Sequence, residues 1–218
     1  MMMGISMIPV IIPCLNEAKT IDKLVAMFKE TCPCADVYVN VVIDPETIDA
    51  SAHFAMMAGA SLVHSKEHGK GQGVNYALER LDHQGFREYI LCDGDITISP
   101  AAVSELLLPL NRHAGQKILI PRIPTATEWD DATIRAGLQF NPDAWSLVSG
   151  IRRVRRECIP NGLYGYLMET QINRQVAECG YATERAYSHD TISPLRFTKR
   201  RVEDLLAHGK YGKEHGIL

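Results

Sequence analysis

Short apolar runs rich in β-branched residues alternate with amphipathic helical stretches through the first 120 residues, and this alternation restricts the fold more than any other feature. Five runs are typical of strands buried on both faces, at residues 8–12, 37–43, 60–63, 89–92 and 117–120. Helical periodicity fills the intervals, at residues 17–30, 50–58, 74–81 and 101–108. This order predicts an α/β fold, with a mainly parallel sheet flanked by helices and ligands bound at the carboxyl ends of the strands.

Beyond residue 121 the periodicity is weaker. We expect residues 145–148 to form a strand that leads through Gly150 into an arginine-rich turn or helix. A helix at 166–179, a strand at 181–187 and a terminal helix at 202–208 are also predicted. The sequence has no internal repeat or long linker, so we expect a single domain over residues 1–218.

The charge composition argues against a protein held to nucleic acid by bulk electrostatics, because 23 Lys+Arg stand against 26 Asp+Glu, a net charge of −3. The basic residues are concentrated late in the chain, with 12 Lys+Arg and 8 Asp+Glu from residue 151 onward. No apolar run reaches the roughly 18 residues that a membrane-spanning helix needs. The apolar start lacks the basic residues of a signal peptide, and the six scattered cysteines suit a reducing compartment. We therefore expect a cytoplasmic protein.

Asp93-Gly94-Asp95 directly follows the predicted strand at 89–92. Two carboxylates at a strand end can share a divalent cation with a diphosphate, and their hard oxygen atoms suit Mg²⁺ or Mn²⁺. The glycine between them allows a tight turn and close approach of a ligand. Taken alone, the same three residues are more often an acidic turn than a metal site.

Three other polar segments also occupy strand ends or loops. The glycine-rich segment 69–73 contains Lys70 and suits an anion, although it lacks the spacing of a phosphate-binding P-loop. Pro13-Cys-Leu-Asn-Glu17 follows the first strand, and residues 44–51 follow the second. Each has a structural alternative, as a mobile loop or as a helix cap. Their common position after successive strands favours a shared ligand crevice.

In order and spacing these motifs resemble the GT-A-fold glycosyltransferases of the family 2-like group. That group includes polyprenyl-phosphate sugar synthases, and glucosyl-3-phosphoglycerate and mannosylglycerate synthases are related. Residues 13–17 match its P-x-x-N-E motif, residues 69–73 its G-K-G-x-x motif, and residues 93–95 its D-x-D motif, whereas its acidic segment after the second strand is replaced by the looser 44–51. The resemblance covers roughly residues 8–190. It implies a donor-binding part at about residues 1–120 and an acceptor-binding part at about 121–218.

The resemblance also implies roles for particular residues. Leu15, Glu17 and Asp44 would hold the nucleoside, and Lys70 would lie near the base or the diphosphate. Asp93 would face the ribose or the sugar and take part in catalysis, and Asp95 would bind the metal. The donor-binding set is then Pro13, Leu15, Glu17, Asp44, Lys70, Asp93 and Gly94.

Later segments extend the resemblance. Residues 149–157 are similar to the family's S-G-x-R-x-x-R-R-E stretch near the acceptor, and four arginines there could bind phosphate or could form a solvated helix face. Glu169 lies in a G-Y-x-x-E-T segment and would bind the sugar or orient an acceptor hydroxyl, unless it is only a first-turn helix acid. His189 would complete the metal site. The predicted acceptor-binding residues are Arg152, Arg153, Arg155 and Arg156.

The implied function is metal-dependent transfer of a sugar from a UDP- or GDP-sugar to a hydroxyl or phosphate acceptor, with Mn²⁺ or Mg²⁺ as cofactor. The arginines suggest an anionic acceptor, which leaves a small phosphate compound, a lipid phosphate and a nucleic acid with a modified base as alternatives. The stereochemical outcome is open. A nucleotidyltransferase and a non-catalytic module that binds sugar nucleotides are the competing interpretations.

Overall fold

A seven-stranded sheet forms the centre of the computed structural model, which describes residues 7–31, 37–122, 150–192 and 210–214. The strand order is β3-β2-β1-β4-β6-β5-β7. Six strands run in one direction and β6 runs in the other, so the predicted α/β fold with a mainly parallel sheet is confirmed. The strands are β1 (Ile8–Cys14), β2 (Val37–Ile43), β3 (Ser61–His64), β4 (Glu88–Cys92), β5 (Ala114–Arg122), β6 (Ile151–Arg155) and β7 (Ala182–Ile192).

Helices cover both faces of the sheet. Within the described residues, the helices that flank the sheet are α1 (Ile21–Thr31), α2 (Ser51–Met57), α3 (Lys70–Leu81), α4 (Pro100–Leu107) and α5 (Met168–Glu178). Side chains of α1, α2 and α4 pack on one face, and those of α3 and α5 pack on the other. β1 is apolar throughout because both of its faces are buried. Val10 and Ile12 pack in the core on the α1 side of the sheet, and Ile11 packs in the core on the α3 side. None of the described helices is long and apolar enough to cross a membrane.

Two helices begin at different residues from those expected. α1 begins at Ile21, since residues 18–20 form turns ahead of it. α3 begins at Lys70 and not at residue 74, so most of the predicted glycine-rich loop is the first turn of a helix. Gly69 caps that helix with a φ of 119°, a left-handed conformation that glycine adopts without strain. The helix therefore carries Lys70 in its first turn, at the crevice.

Most of the arginine-rich segment is a strand, so the predicted turn or helix is wrong for residues 151–155, and a short 3-10 helix follows at Arg156–Cys158. Residues 151–155 pair antiparallel with β4 on one side and with β5 on the other. Arg152 and Arg153 consequently face opposite sides of the sheet. The last strand is also longer than predicted, since β7 extends to Ile192 and includes position 189. The elements predicted at 145–148 and 202–208 lie outside the described residues.

Candidate active site

The candidate site lies at the carboxyl ends of β1 to β4, where an open α/β sheet binds ligands. β6 contributes its amino end to the same edge because it runs antiparallel to β4. Cys92 at the end of β4 pairs with Ile151 at the start of β6, and the Asp93 amide donates to the Gly150 carbonyl at 2.7 Å. This connection brings Arg152 beside the residues that follow β4.

Hydrogen bonds tie together the loops after β1 and β2, which were predicted to hold the nucleoside. Asn16 has a φ of 58°, and its side chain accepts from the Ile48 amide at 2.9 Å. The Glu17 amide donates to the Ser51 hydroxyl at 2.7 Å. Leu15 is exposed at the tip of the first loop. The two loops thus form one wall of the crevice, with an apolar side chain at its rim.

Asp44 is buried at the end of β2 and organises the loop that precedes α3. Its carboxylate accepts from the amides of Gly69 and Glu46, each at 2.9 Å, and lies 2.9 Å from Nδ1 of His68. Burial alone would raise the pKa of Asp44, but the Gly69 amide, His68 and the Glu46 amide together hold that pKa below its ordinary value. Asp44 is therefore an ionised acceptor at neutral pH, and three protein groups already donate to it.

Lys70 joins the two carboxylates that were predicted to act in catalysis. Its Nζ lies 2.5 Å from Oδ1 of Asp93 and also forms an ion pair with Oε1 of Glu169. Lys70 begins α3, Asp93 follows β4, and Glu169 lies in the first turn of α5. Both carboxylates and Arg152 line a single pocket with Lys70 and Pro13. The structure therefore assembles residues far apart in the chain into one charged cluster.

The electrostatics differ between the two carboxylates. Burial raises the pKa of Asp93, and the nearby charges of Glu169 and Asp95 add to an effect that Lys70 offsets only in part. Burial also acts on Glu169, but Lys70 and Arg152 outweigh it and lower the pKa of Glu169. For Lys70, the two carboxylates outweigh burial and raise its pKa. Glu169 is accordingly ionised at neutral pH, and Lys70 stays charged.

Arg152 is the only one of the four predicted acceptor arginines that lines this pocket. It is 1% exposed. Its Nη1 lies 3.2 Å from Oε1 of Gln116 in β5 and 3.1 Å from Oδ1 of Asn173 in α5. Burial lowers the pKa of Arg152, and the charges of Glu169 and Asp93 act in the opposite direction.

The other three arginines bind protein groups elsewhere, so the structure does not bring the four together as one anion-binding surface. Arg153 pairs with Glu88 and donates to three carbonyls at the end of α4. Arg155 donates to carbonyls ahead of and within β5. Arg156 binds both carboxylate oxygens of Asp82. Arg152 and Arg153 are separated because alternate residues of β6 point to opposite faces of the sheet, and Arg156 lies beyond the end of β6 in a 3-10 helix.

The predicted metal ligands are Asp95 and His189. Asp95 is buried just beyond β4, and its carboxylate has no ion pair or hydrogen bond to another described residue. The side chain of His189 lies outside the described residues. Among the residues that the structure describes, no three potential ligands come together. One carboxylate with substrate phosphate oxygens is nevertheless a common donor set for Mg²⁺, so Asp95 fits an ion shared with a diphosphate.

Gly94 lies between the two aspartates and against the first loop. A side chain at that position would begin 3.1 Å from the Pro13 carbonyl oxygen and 3.2 Å from Cγ of Glu17. The turn after β4 therefore touches the loop after β1. Gln116 and Asn173 were not predicted. The sequence offers only a weak signal for each: Gln116 is a polar residue next to the apolar run of β5, and Asn173 is a polar residue on the buried side of α5.

Solved glycosyltransferase structures share this fold. Glucosyl-3-phosphoglycerate synthase from Mycobacterium tuberculosis, in complex with Mn²⁺, UDP-glucose and phosphoglyceric acid, has a TM-score of 0.73 at 17% identity, over 96% of this chain and 80% of that chain. The same synthase in complex with Mg²⁺ and UDP gives 0.69 at 19% identity, over 94% and 79%. The sheet and its helices are therefore those of a GT-A-fold glycosyltransferase.

Sequence relatives narrow this class to a family. Protein RfbJ from Shigella flexneri is 35% identical over 100 residues, which are 46% of this chain and 73% of that protein. Glycosyltransferase AglJ from Haloferax volcanii is 32% identical over 102 residues, 46% of this chain and 31% of that protein. The model of glycosyl transferase family 2 matches residues 10–157. The chain belongs to glycosyl transferase family 2, and it is a glycosyltransferase.

Proposed function

We propose that this chain transfers a sugar from a nucleotide diphosphate sugar to a small anionic acceptor, with a divalent metal ion as cofactor. The observation that carries the proposal is the charged cluster of Lys70, Asp93, Glu169 and Arg152 at the carboxyl edge of the sheet. A UDP-sugar is the first donor to test, because the structurally similar synthase was solved with UDP-glucose.

The donor would lie along the crevice from the β2 end to the β4 end. The nucleoside would contact Leu15, Glu17 and Asp44, whose loops are tied together by hydrogen bonds. The diphosphate would pass Lys70 at the start of α3, where a fixed positive charge and backbone amides favour an anion. This path ends at Pro13, Asp93 and Gly94, where the sugar would lie.

The divalent ion would be held by Asp95, and by His189 as the family resemblance implies. When bound, such an ion neutralises the negative charge that develops on the leaving diphosphate as the anomeric bond breaks. Lys70 would add a second positive charge from the protein. On donor binding, Lys70 can exchange part of its contact with Asp93 for a phosphate oxygen, which would leave Asp93 to bind a sugar hydroxyl.

Glu169 would act on the acceptor side. Its lowered pKa keeps it ionised at neutral pH, so it can accept a hydrogen bond from a sugar or acceptor hydroxyl. Arg152 is the only described arginine of β6 in the pocket. One buried guanidinium suits one phosphate or carboxylate group, so we infer a small acceptor such as a phosphorylated hydroxy acid in preference to a nucleic acid or a lipid phosphate. Phosphoglyceric acid, present in the solved synthase complex, is the first acceptor to test.

The competing interpretations predict different reactions. A nucleotidyltransferase would release pyrophosphate from a nucleoside triphosphate, whereas a glycosyltransferase releases a nucleoside diphosphate. A non-catalytic module would bind the sugar nucleotide without turnover. Membership of glycosyl transferase family 2 favours sugar transfer over both.

The decisive experiment measures nucleoside diphosphate release from UDP-glucose and GDP-mannose, with and without phosphoglycerate, in Mn²⁺, Mg²⁺ or EDTA. We expect acceptor-stimulated release that EDTA abolishes. The variant Asp95→Ala should remove this activity while its melting temperature stays near wild type. Glu79→Ala, on the exposed side of α3, is the matched control and should behave as wild type. Full activity of Asp95→Ala, or wild-type turnover in EDTA, contradicts the proposed metal site.

A further inference from the structure

The turn that carries Asp93 and Asp95 is only weakly closed by its own backbone. The Ile96 amide lies 3.5 Å from the Asp93 carbonyl oxygen, at the limit of a hydrogen bond. The Asp95 carboxylate has no hydrogen bond or ion pair to another described residue, so the backbone of the turn decides where it points. The position of this predicted metal ligand therefore depends on what holds the turn from outside.

Thr20 holds this turn through the carbonyl group of its central residue. Thr20 directly precedes α1, and its hydroxyl donates to the Gly94 carbonyl oxygen at 2.9 Å, between positions 74 residues apart. The same hydroxyl lies 3.3 Å from the Glu17 carbonyl oxygen. A hydroxyl carries one hydrogen, so the nearer Gly94 oxygen is the main acceptor. Gly94 is buried, where a carbonyl group usually needs a protein donor.

The Thr20 side chain does not cap α1 in the usual way. A threonine at this position ordinarily accepts a hydrogen bond from an amide of the first helical turn. Within the described residues, both contacts of the Thr20 hydroxyl are with carbonyl oxygens, so it acts as a donor. The Thr20 backbone joins the preceding turn to the helix, since its amide donates to the Glu17 carbonyl and its carbonyl accepts from the Leu24 amide, each at 3.0 Å. The hydroxyl is thus used for the turn after β4.

We propose that Thr20 is a positioning residue, which orients Asp95 toward the divalent ion by holding the Gly94 carbonyl. That carbonyl and the Asp95 amide belong to one planar peptide unit, so fixing the carbonyl also fixes the backbone from which the Asp95 side chain projects. The inference rests on the proposed function for the presence of the ion. The hydrogen bond and its effect on the turn do not depend on the reaction.

The first test compares variants that differ in the hydroxyl. Thr20→Val removes it with little change of shape, and Thr20→Ser retains it. In Thr20→Val we expect the Mn²⁺ concentration for half-maximal nucleoside diphosphate release to rise about 10-fold, as is typical when a group that orients a metal ligand is lost. Thr20→Ser should respond to Mn²⁺ as wild type does. Thr20→Ala gives the same comparison if the valine side chain prevents folding.

Thr31→Val is the matched control at the other end of α1. It also removes a threonine hydroxyl, but that hydroxyl donates to Sδ of Met27 at 3.4 Å, away from the crevice. The response of Thr31→Val to Mn²⁺ should be that of the wild type. A purely structural role of Thr20 would lower the melting temperature of Thr20→Val and leave its response to Mn²⁺ unchanged, and this result overturns the proposal.

Binding measured without turnover separates the turn after β4 from the loop after β1. The rise in melting temperature that Mn²⁺ and UDP produce together should be smaller in Thr20→Val than in Thr20→Ser. The affinity for UDP in EDTA, measured by calorimetry, should be the same in both variants, because the contact with Glu17 is the weaker one. An equal loss of UDP affinity with and without Mn²⁺ would assign the effect to the loop and contradict the inference.

Hydrogen exchange tests the hydrogen bond in the absence of any ligand. The segment 93–96 should exchange faster in Thr20→Val than in Thr20→Ser, because the Gly94 carbonyl has lost its donor and the bond between Ile96 and Asp93 is long. Equal exchange in the two variants refutes the role of Thr20. A wild-type protein with neither turnover nor metal-dependent binding of UDP is instead a failure of the proposed function, and it leaves the exchange experiment valid.

Discussion

Gly71 lies where the first turn of α3 meets the segment that leads into α5. A Cβ atom there would lie 2.7 Å from the amide nitrogen of Gly165 and 2.8 Å from the carbonyl carbons of Leu163 and Tyr164. All three are backbone atoms, so the contact cannot be relieved by a change of side-chain rotamer. Asn75 fixes the same contact one turn later, since its side chain accepts from the Leu163 amide and donates to the Leu163 carbonyl at 2.9 and 2.8 Å.

The variant Gly71→Ala therefore sets two effects against each other. Replacing glycine by alanine inside a helix gains about 1 kcal/mol, whereas overpacking a rigid contact costs up to about 3 kcal/mol. The expected net loss of unfolding free energy is about 2 kcal/mol. For a chain of this size, the loss should lower the melting temperature by roughly 4–8 °C. The packing of Gly71 against residues 163–165 also sets the position of Lys70 relative to Glu169. If the alanine displaces α3 by nearly 1 Å, kcat should therefore fall by about 100-fold.

Gly73→Ala is the control in the same helix. Its Cβ would meet only the side chain of Val42, with Cγ1 at 3.3 Å and Cβ at 4.0 Å, and that side chain can move by the few tenths of an ångström required. Thermal unfolding followed by circular dichroism gives the stability of both variants, and nucleoside diphosphate release gives kcat. We expect Gly73→Ala to be at least as stable as wild type and fully active. A Gly71→Ala protein as stable and active as Gly73→Ala would show that the close approach of α3 is not needed.

Two further predictions concern stability. Asp44 has a lowered pKa in the folded state, so its contribution to stability is present above the unfolded pKa of about 3.9 and is lost as the pH falls through the folded value. Asp44→Asn should therefore cost about 1–3 kcal/mol at pH 7, with the gap to wild type narrowing below about pH 4 in urea titrations. Arg153→Met should cost about 3–5 kcal/mol because it leaves Glu88 without its main partner, whereas Arg156→Ala should cost about 1 kcal/mol or less because its pair with Asp82 is near the surface. Neither arginine variant should change the acceptor KM, and a several-fold rise would return these residues to the acceptor site.

The first half of the fold could be predicted because its signals are local. The run at 8–12 is apolar at every position, as a strand buried on both faces must be. The helical periodicity of α1 likewise predicts which of its side chains are buried. β6 could not be predicted in the same way. Its arginines indicate an exposed segment, yet Arg152 and Arg153 are buried because amides, carbonyls and Glu88 satisfy their hydrogen bonds.

The candidate site was likewise predictable only where its signals are local. Lys70, Asp93 and Glu169 could be selected singly, from motifs at strand and helix ends. The ion pair between Lys70 and Glu169 joins positions 99 residues apart, and no local pattern encodes such a pairing. Gln116 and Asn173 carry no motif at all. Gln116 meets Arg152 through the register of β5 against β6, and Asn173 meets both through the packing of α5 against the sheet, which tertiary structure determines.

The reversed strand β6 has a consequence for how the molecule is assembled. It is inserted between β4 and β5, so neither of those strands pairs directly with the other. A chain that ends after residue 122 would contain every predicted donor-binding residue, yet it would leave one edge of β4 open and β5 without a partner. Open strand edges template association with other chains. We therefore expect that fragment to aggregate, because residues 1–122 would not fold independently of the strands that follow them.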